Sequence, residues 1–125
     1  MSRVKFDMEF LFRASPAIVY RFITTPSCLV RWFCDTADIT GDIYTFTWEG
    51  FDEVAELIDD IEEERLRFHW EDGEEGEYLE FRMYKSEVTN ETILEITDFA
   101  DDDEVEDQKQ LWKSQLDVMR SEMGG

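Results

Sequence analysis

Residues 94–119 read LEITDFADDDEVEDQKQLWKSQLDVM, and within them the hydrophobic period changes once. Leu94 and Ile96 alternate with polar neighbours, the two-residue repeat of a half-buried strand, and Asp98 falls in the same phase. From about Asp101 to Met123 the repeat is helical: Val105, Trp112, Leu116, Met119 and Met123 share one face, with Gln108 and Leu111 beside it. A strand running into one long helix is predicted. The acids at the junction raise the question of a metal. An EF-hand loop begun at Asp98 puts Ala100 third and Lys109 twelfth, and one begun at Asp101 puts Val105 fifth, so neither register supplies the carboxylates, and the central glycine is absent. Acids at the helix entry with Lys109, Lys113 and Arg120 later follow the order that the helix dipole favours. No metal is expected. Asp98 points to the core side where strand meets helix, and there a hydrogen bond to the following turn is favoured over a place in a pocket.

Upstream of this stretch the same two periods recur. Val4, Phe6, Met8, Phe10 and Phe12 alternate, which predicts a first strand. SPAIVYRFI at 15–23 is a helix start, with Ser15 as N-cap, Pro16 in the first position and Ile18, Val19, Phe22 and Ile23 as the buried stripe. Pro26 ends or restarts that helix, and Leu29, Trp32 and Phe33 predict a second short one. After Asp35 strands return. Tyr44, Phe46 and Trp48 alternate, a less regular strand covers about 53–61, then Leu66, Phe68 and Trp70 share a face opposite Arg65, Arg67 and His69. Leu79, Phe81 and Met83 mark another, and the short turns between them imply an antiparallel meander.

A chain of 125 residues, 42% hydrophobic and 14% aromatic, suffices for one filled core, so a single domain over 1–125 is expected. The net charge of −20 argues against nucleic acid and anionic membrane surfaces, which are bound through Lys and Arg. The acidity is uneven: residues 1–35 hold five Lys/Arg and three Asp/Glu, the remaining ninety seven and twenty-nine. No apolar run reaches the length of a membrane span and MSRVKFDMEF lacks the pattern of a leader, so no membrane insertion and a cytoplasmic location are expected. Cys28 and Cys34 fit neither a redox pair nor a zinc half-site and read as reduced packing residues.

Catalytic patterns are scarce. His69, the single histidine, lies on the polar face of its strand beside Arg67 and Glu71, no spacing assigns it a Ser or Cys nucleophile, and the glycines stand at turns rather than in a phosphate loop. The aromatic residues remain. Trp32, Phe33, Trp48, Trp70, Phe81 and Trp112 all fall on inward faces, where they either fill the core or wall a pocket.

The order of strand, two small helices, long meander and final long helix resembles the helix-grip fold of the START-like (SRPBCC) superfamily, and most of all its branch related to the activator of heat-shock-protein ATPase (AHSA-like). ASPAIVYRFITTPSCLVRWFCD (14–35), RLRFHWED (65–72) and LEITDFADDDE through QLWKSQLDVM (94–119) carry the likeness. It implies an α+β fold in which a curved antiparallel sheet wraps a long C-terminal helix around a cavity for a hydrophobic molecule. The Cys-His clusters of the ring-hydroxylating members are missing, and the superfamily hosts many activities, so the fold names none. The function favoured is non-catalytic binding of a hydrophobic or amphipathic small molecule, without cofactor. The expected lining is Trp32, Phe33, Tyr44, Trp48, Trp70, Phe81, Asp98, Trp112, Leu116 and Met119. The alternative is a protein-interaction or co-chaperone-like module with an acidic docking surface. An enzyme ranks behind both, with Asp98, Tyr44 and Tyr20 as its polar candidates.

Overall fold

The alternating N-terminal stretch forms strand β1 (Arg3–Phe12), with Phe6 and Phe12 buried, Val4, Met8 and Phe10 half-buried, and Lys5, Asp7 and Glu9 exposed. The structure, a computed structural model, describes residues 2–124. Ser15 caps α1 (Pro16–Thr24) by accepting the Ile18 N–H at 3.4 Å. Val19, Phe22 and Ile23 are buried, but Ile18, predicted within the stripe, is largely exposed. At 3.6 residues per turn it lies about 90° round the helix from the centre of that stripe. The second helix, α2 (Pro26–Leu29), is a single turn. It stops earlier than predicted because the N–H groups of Phe33 and Cys34 both donate to the Leu29 carbonyl, at 2.8 and 3.3 Å, which folds Trp32 and Phe33 into a turn. Both rings are buried all the same.

Six further strands follow: β2 (Thr36–Thr40), β3 (Ile43–Trp48), β4 (Phe51–Ile61), β5 (Arg65–Trp70), β6 (Leu79–Lys85) and β7 (Thr92–Asp101). Each pairs antiparallel with the next, and β1 returns beside β7, giving one seven-stranded sheet in the order β1-β7-β6-β5-β4-β3-β2. A register shift between Leu57 and Asp59 adds bend to β4. The β3–β4 connection is tighter than predicted. Glu49 and Gly50 both have positive φ, 50° and 86°, the two-residue turn whose twist suits a hairpin, so β4 begins at Phe51, directly opposite Trp48.

The last helix, α3 (Val105–Met123), begins four residues after the predicted start because Asp101 still pairs with Arg3 across β7 and β1. Residues 102–104 form the intervening turn. Gly124, in the left-handed conformation at φ 85°, closes the helix by donating to the Arg120 and Ser121 carbonyls. Trp112, Leu116 and Met119 are its buried residues, and it packs on β1 and β7. This is the α+β helix-grip architecture read from the sequence: a curved antiparallel sheet, short helices after the first strand and one long C-terminal helix. Cys28 and Cys34 are free and buried, and burial, with Asp35 nearby, pushes the Cys34 thiol up to about 11, so it stays protonated near neutral pH.

Candidate functional site

Between the first half of α3 and the open end of the sheet lies a cleft of about 540 Å³. Its aromatic wall is built round Phe33, which the Leu29 turn places beneath the helix. The Phe33 ring stacks on Trp112 at 6.0 Å and meets Trp48 edge-on at 5.2 Å, and Trp48 lies 6.5 Å from Trp70. The Phe33 carbonyl accepts the Trp48 indole N–H at 2.6 Å and the Gln115 amide at 3.2 Å, which ties β3 and α3 to the same turn.

Asp98 is half-buried in this wall. One carboxylate oxygen accepts the Phe99 N–H at 2.8 Å and the other the Trp112 indole N–H at 2.9 Å. The local backbone bond and the pocket position, alternatives from the sequence alone, coincide: the Asp98 side chain bonds its neighbouring amide and lines the cleft. Burial raises its carboxyl above the ordinary range, opposed by the bonds from Trp112 and Phe99 and by the charge of Arg3, with Glu77 adding to the rise. The folded protein therefore holds a proton at pH values where the unfolded chain has released it. Asp98 thus lowers stability as pH rises from the ordinary value of about 3.9 through its folded value, and the loss persists above. Asp98→Asn should flatten that step in urea denaturation at successive pH values; parallel profiles for the two proteins would count against it.

The rim is charged. Arg3 donates to both Glu77 oxygens, at 2.6 and 3.0 Å, and to Asp101 at 3.4 Å. The bond from Arg3 holds the Glu77 carboxyl below its usual range. Arg67 lies 4.0 Å over the Tyr78 ring and is itself held by Glu80 at 2.6 Å, while Tyr78 packs edge-on to Phe99 at 5.2 Å. His69 Nδ1 is 3.0 Å from the Glu77 carbonyl, so the histidine on the polar face of β5 is half-buried and ties the β5–β6 loop to its strand.

Of the residues expected to line a pocket, Phe33, Trp48, Trp70, Asp98 and Trp112 meet at the cleft. Trp32 and Phe81 instead border a void of about 10 Å³, room for about one water. Trp32 donates its indole N–H to the Phe22 carbonyl at 2.9 Å. Tyr44 is buried against Phe68, at 4.8 Å, and Phe46, at 6.0 Å, and Leu116 and Met119 are fully buried in the helix–sheet core. The cleft also recruits Arg3, Glu53, Glu77, Tyr78, Phe99, Gln108, Leu111 and Gln115. A signal existed for the helical ones: Gln108, Leu111, Trp112 and Gln115 follow the spacing of neighbours on one helix face. None existed for Arg3 and Glu77, which are brought to the rim by long-range pairing.

The carboxylates of Asp101, Asp103 and Glu104 approach within 4.8 Å of one another, Asp101 half-buried and the others exposed. The Glu104 carboxyl is raised, first through its hydrogen bond with Asp101 and then by the charge of Asp101. Arg3 partly offsets the crowding. Replacing Asp101, Asp102 and Asp103 by Asn is expected to change stability by no more than about 1–2 kcal/mol through the helix dipole, and calcium should leave the melting curve in place. Saturable micromolar calcium binding in calorimetry would overturn this.

A family profile described as a START-like superfamily domain matches residues 1–125. The chain belongs to the START-like superfamily. Among solved structures, this START-like domain is similar to the protein BfR322 from Bacteroides fragilis, with 32% identity over 98% of this chain and 93% of that one, at a TM-score of 0.69. The Aha1 dimer from Colwellia psychrerythraea superimposes with a TM-score of 0.80 at 18% identity, covering 94% and 93% of the two chains. That likeness carries fold and not activity, and it agrees with the AHSA-like branch read from the sequence. EF2215 from Enterococcus faecalis gives a TM-score of 0.73 at 20% identity over 94% of this chain and 70% of that one. No curated protein matches. Among the described residues no helix is long and apolar enough to cross a membrane.

Proposed function

We propose that this START-like domain is a non-catalytic binding protein for an amphipathic small molecule, seated in the cleft between α3 and the sheet. One observation supports this above the rest: the molecule keeps about 540 Å³ open against a wall of aromatic rings, while the void deeper in the core is only about 10 Å³. Ligand sites typically occupy about 300–1,000 Å³ and combine apolar walls with a few polar groups. The indole N–H groups of Trp48 and Trp112 are already engaged by Phe33 and Asp98, so the half-buried Trp48 ring offers an apolar surface to a ligand while Trp112 backs the wall. Asp98, Gln108 and Gln115 stand ready for a polar end.

The reading assigns no reaction. Tyr20 donates to Asp60 at 2.7 Å outside the cleft lining, and burial pushes the Tyr44 hydroxyl up to about 12 in the core, so neither joins Asp98 to form a convergent polar set. Native mass spectrometry of the purified protein before and after denaturation, with titration of an environment-sensitive apolar dye, tests the proposal. A co-purified mass, or dye binding that perturbs tryptophan emission, is expected. A protein that carries nothing and binds no dye would shift preference to the module with an acidic docking surface, for which the net charge of −20 speaks.

A further inference from the structure

The cleft lining holds four carboxylates, those of Glu53, Glu77, Asp98 and Glu104, and one cationic side chain, Arg3. Arg3 is already engaged: Glu77 takes it at 2.6 and 3.0 Å and Asp101 at 3.4 Å. With that pair closed on itself, Glu53, Asp98 and Glu104 have no Lys or Arg within ion-pair distance among the described residues. Glu53 is placed with purpose. It sits opposite Phe46 in the β3–β4 register and in phase with buried Ala55, so it brings a carboxylate to the inner face of the sheet at the mouth of an aromatic cleft. A carboxylate or phosphate entering here would shed water and meet acids with no free cation to receive it. An ammonium would instead find acidic partners and the half-buried rings of Trp48 and Trp70, a setting that suits cation–π attraction.

We infer that the natural ligand is a cationic amphiphile: an aromatic or alkyl ammonium whose apolar body lies on the Trp48 and Trp70 wall and whose positive head faces Glu53, Asp98 and Glu104. The inference rests on the ligand-binding reading of the same cleft and narrows it to one charge class. The chain's net charge of −20 adds long-range attraction for a cation, which any test must separate from local recognition.

Three probes that share one ring system and differ only in the head make that separation: naphthylmethylamine, naphthylmethanol and naphthoate, titrated into the intact protein by calorimetry at fixed ionic strength. The ammonium is expected to bind about tenfold more tightly than the carboxylate, with the alcohol between them. Glu53→Gln with Glu104→Gln, both at exposed positions, should weaken the ammonium about threefold to tenfold and leave the alcohol within about twofold. Glu87→Gln, an exposed acid outside the cleft lining, should leave all three unchanged. Circular dichroism checks that each variant is folded. Naphthoate binding as tightly as the ammonium would overturn the cationic assignment while leaving the cleft as a ligand site. Failure of all three probes would remove the ligand-binding reading itself. An equal loss of ammonium affinity in Glu87→Gln would show a diffuse field in place of a recognition site.

Discussion

Truncating Trp112 to alanine is expected to cost about 3–5 kcal/mol, the range for deleting a large buried aromatic. Although Trp112 borders the cleft, only 5% of it is accessible. Its ring stacks on Phe33 at 6.0 Å and meets Phe81 edge-on at 5.9 Å, so truncation removes contacts on two sides of the helix–sheet seam. It also removes one of the two donors that hold the Asp98 carboxylate. Trp112→Phe divides these effects, because it keeps one six-membered ring in the seam while losing the N–H and the rest of the indole; about 1–2 kcal/mol is expected for the bond, with a cavity cost on top that keeps the total below that of the alanine variant. Chemical denaturation of the two variants beside the parent gives both values. A loss below about 1 kcal/mol for the alanine variant would mean that the ring already faces open space and that α3 is not seated as described. The alanine variant should also bind apolar dyes more strongly, because its cleft is wider.

Leu116→Ala should destabilise by a similar amount, about 2–5 kcal/mol, yet leave cleft binding within about twofold. Leu116 follows Trp112 by one helical turn and is completely buried, in the seam where α3 packs on β1 and β7, outside the cleft lining. Its removal leaves a cavity in a filled region, and neither Phe33, Trp48 nor Asp98 depends on it for a hydrogen bond. Denaturation gives the first value and dye titration the second. Dye affinity that falls in step with stability would show that Leu116 shapes the binding surface, as the sequence pattern alone suggested.

The contrast between these neighbouring turns marks how far the sequence can be read. Alternation in residues 4–12, 44–48, 66–70 and 94–96, the Ser15-Pro16 helix start and the helical stripe of Trp112, Leu116 and Met119 are local patterns, imposed by the geometry of one strand or one helix. They determined the order of the elements and the face of each that turns inward. Errors fell where backbone hydrogen bonding, long-range in one case and local in the other, outweighs side-chain pattern. Asp101 belongs to β7 because Arg3 lies across from it, and Trp32 and Phe33 close a turn because the N–H groups of Trp32, Phe33 and Cys34 converge on the Leu29 carbonyl.

Position along the core was a matter for the tertiary structure. Trp48, Tyr44, Phe81, Trp112 and Leu116 share the same inward phase, and no periodicity tells which of them stands at the mouth and which in the filled interior. That depends on strand register, on the bend of the sheet near Leu57 and on where α3 meets it. The charge of the cleft was equally out of reach, because Arg3, Glu53, Glu77 and Asp98 come from four distant segments and meet only through strand pairing and loop placement. The sequence by itself determined an antiparallel meander with two short helices after its first strand and one long final helix, because the repeats that specify them are local, and the resemblance to a family implied the grip of sheet on helix; the tertiary structure alone decided where that grip stays open and which charges face the opening, because both arise from residues far apart in the chain.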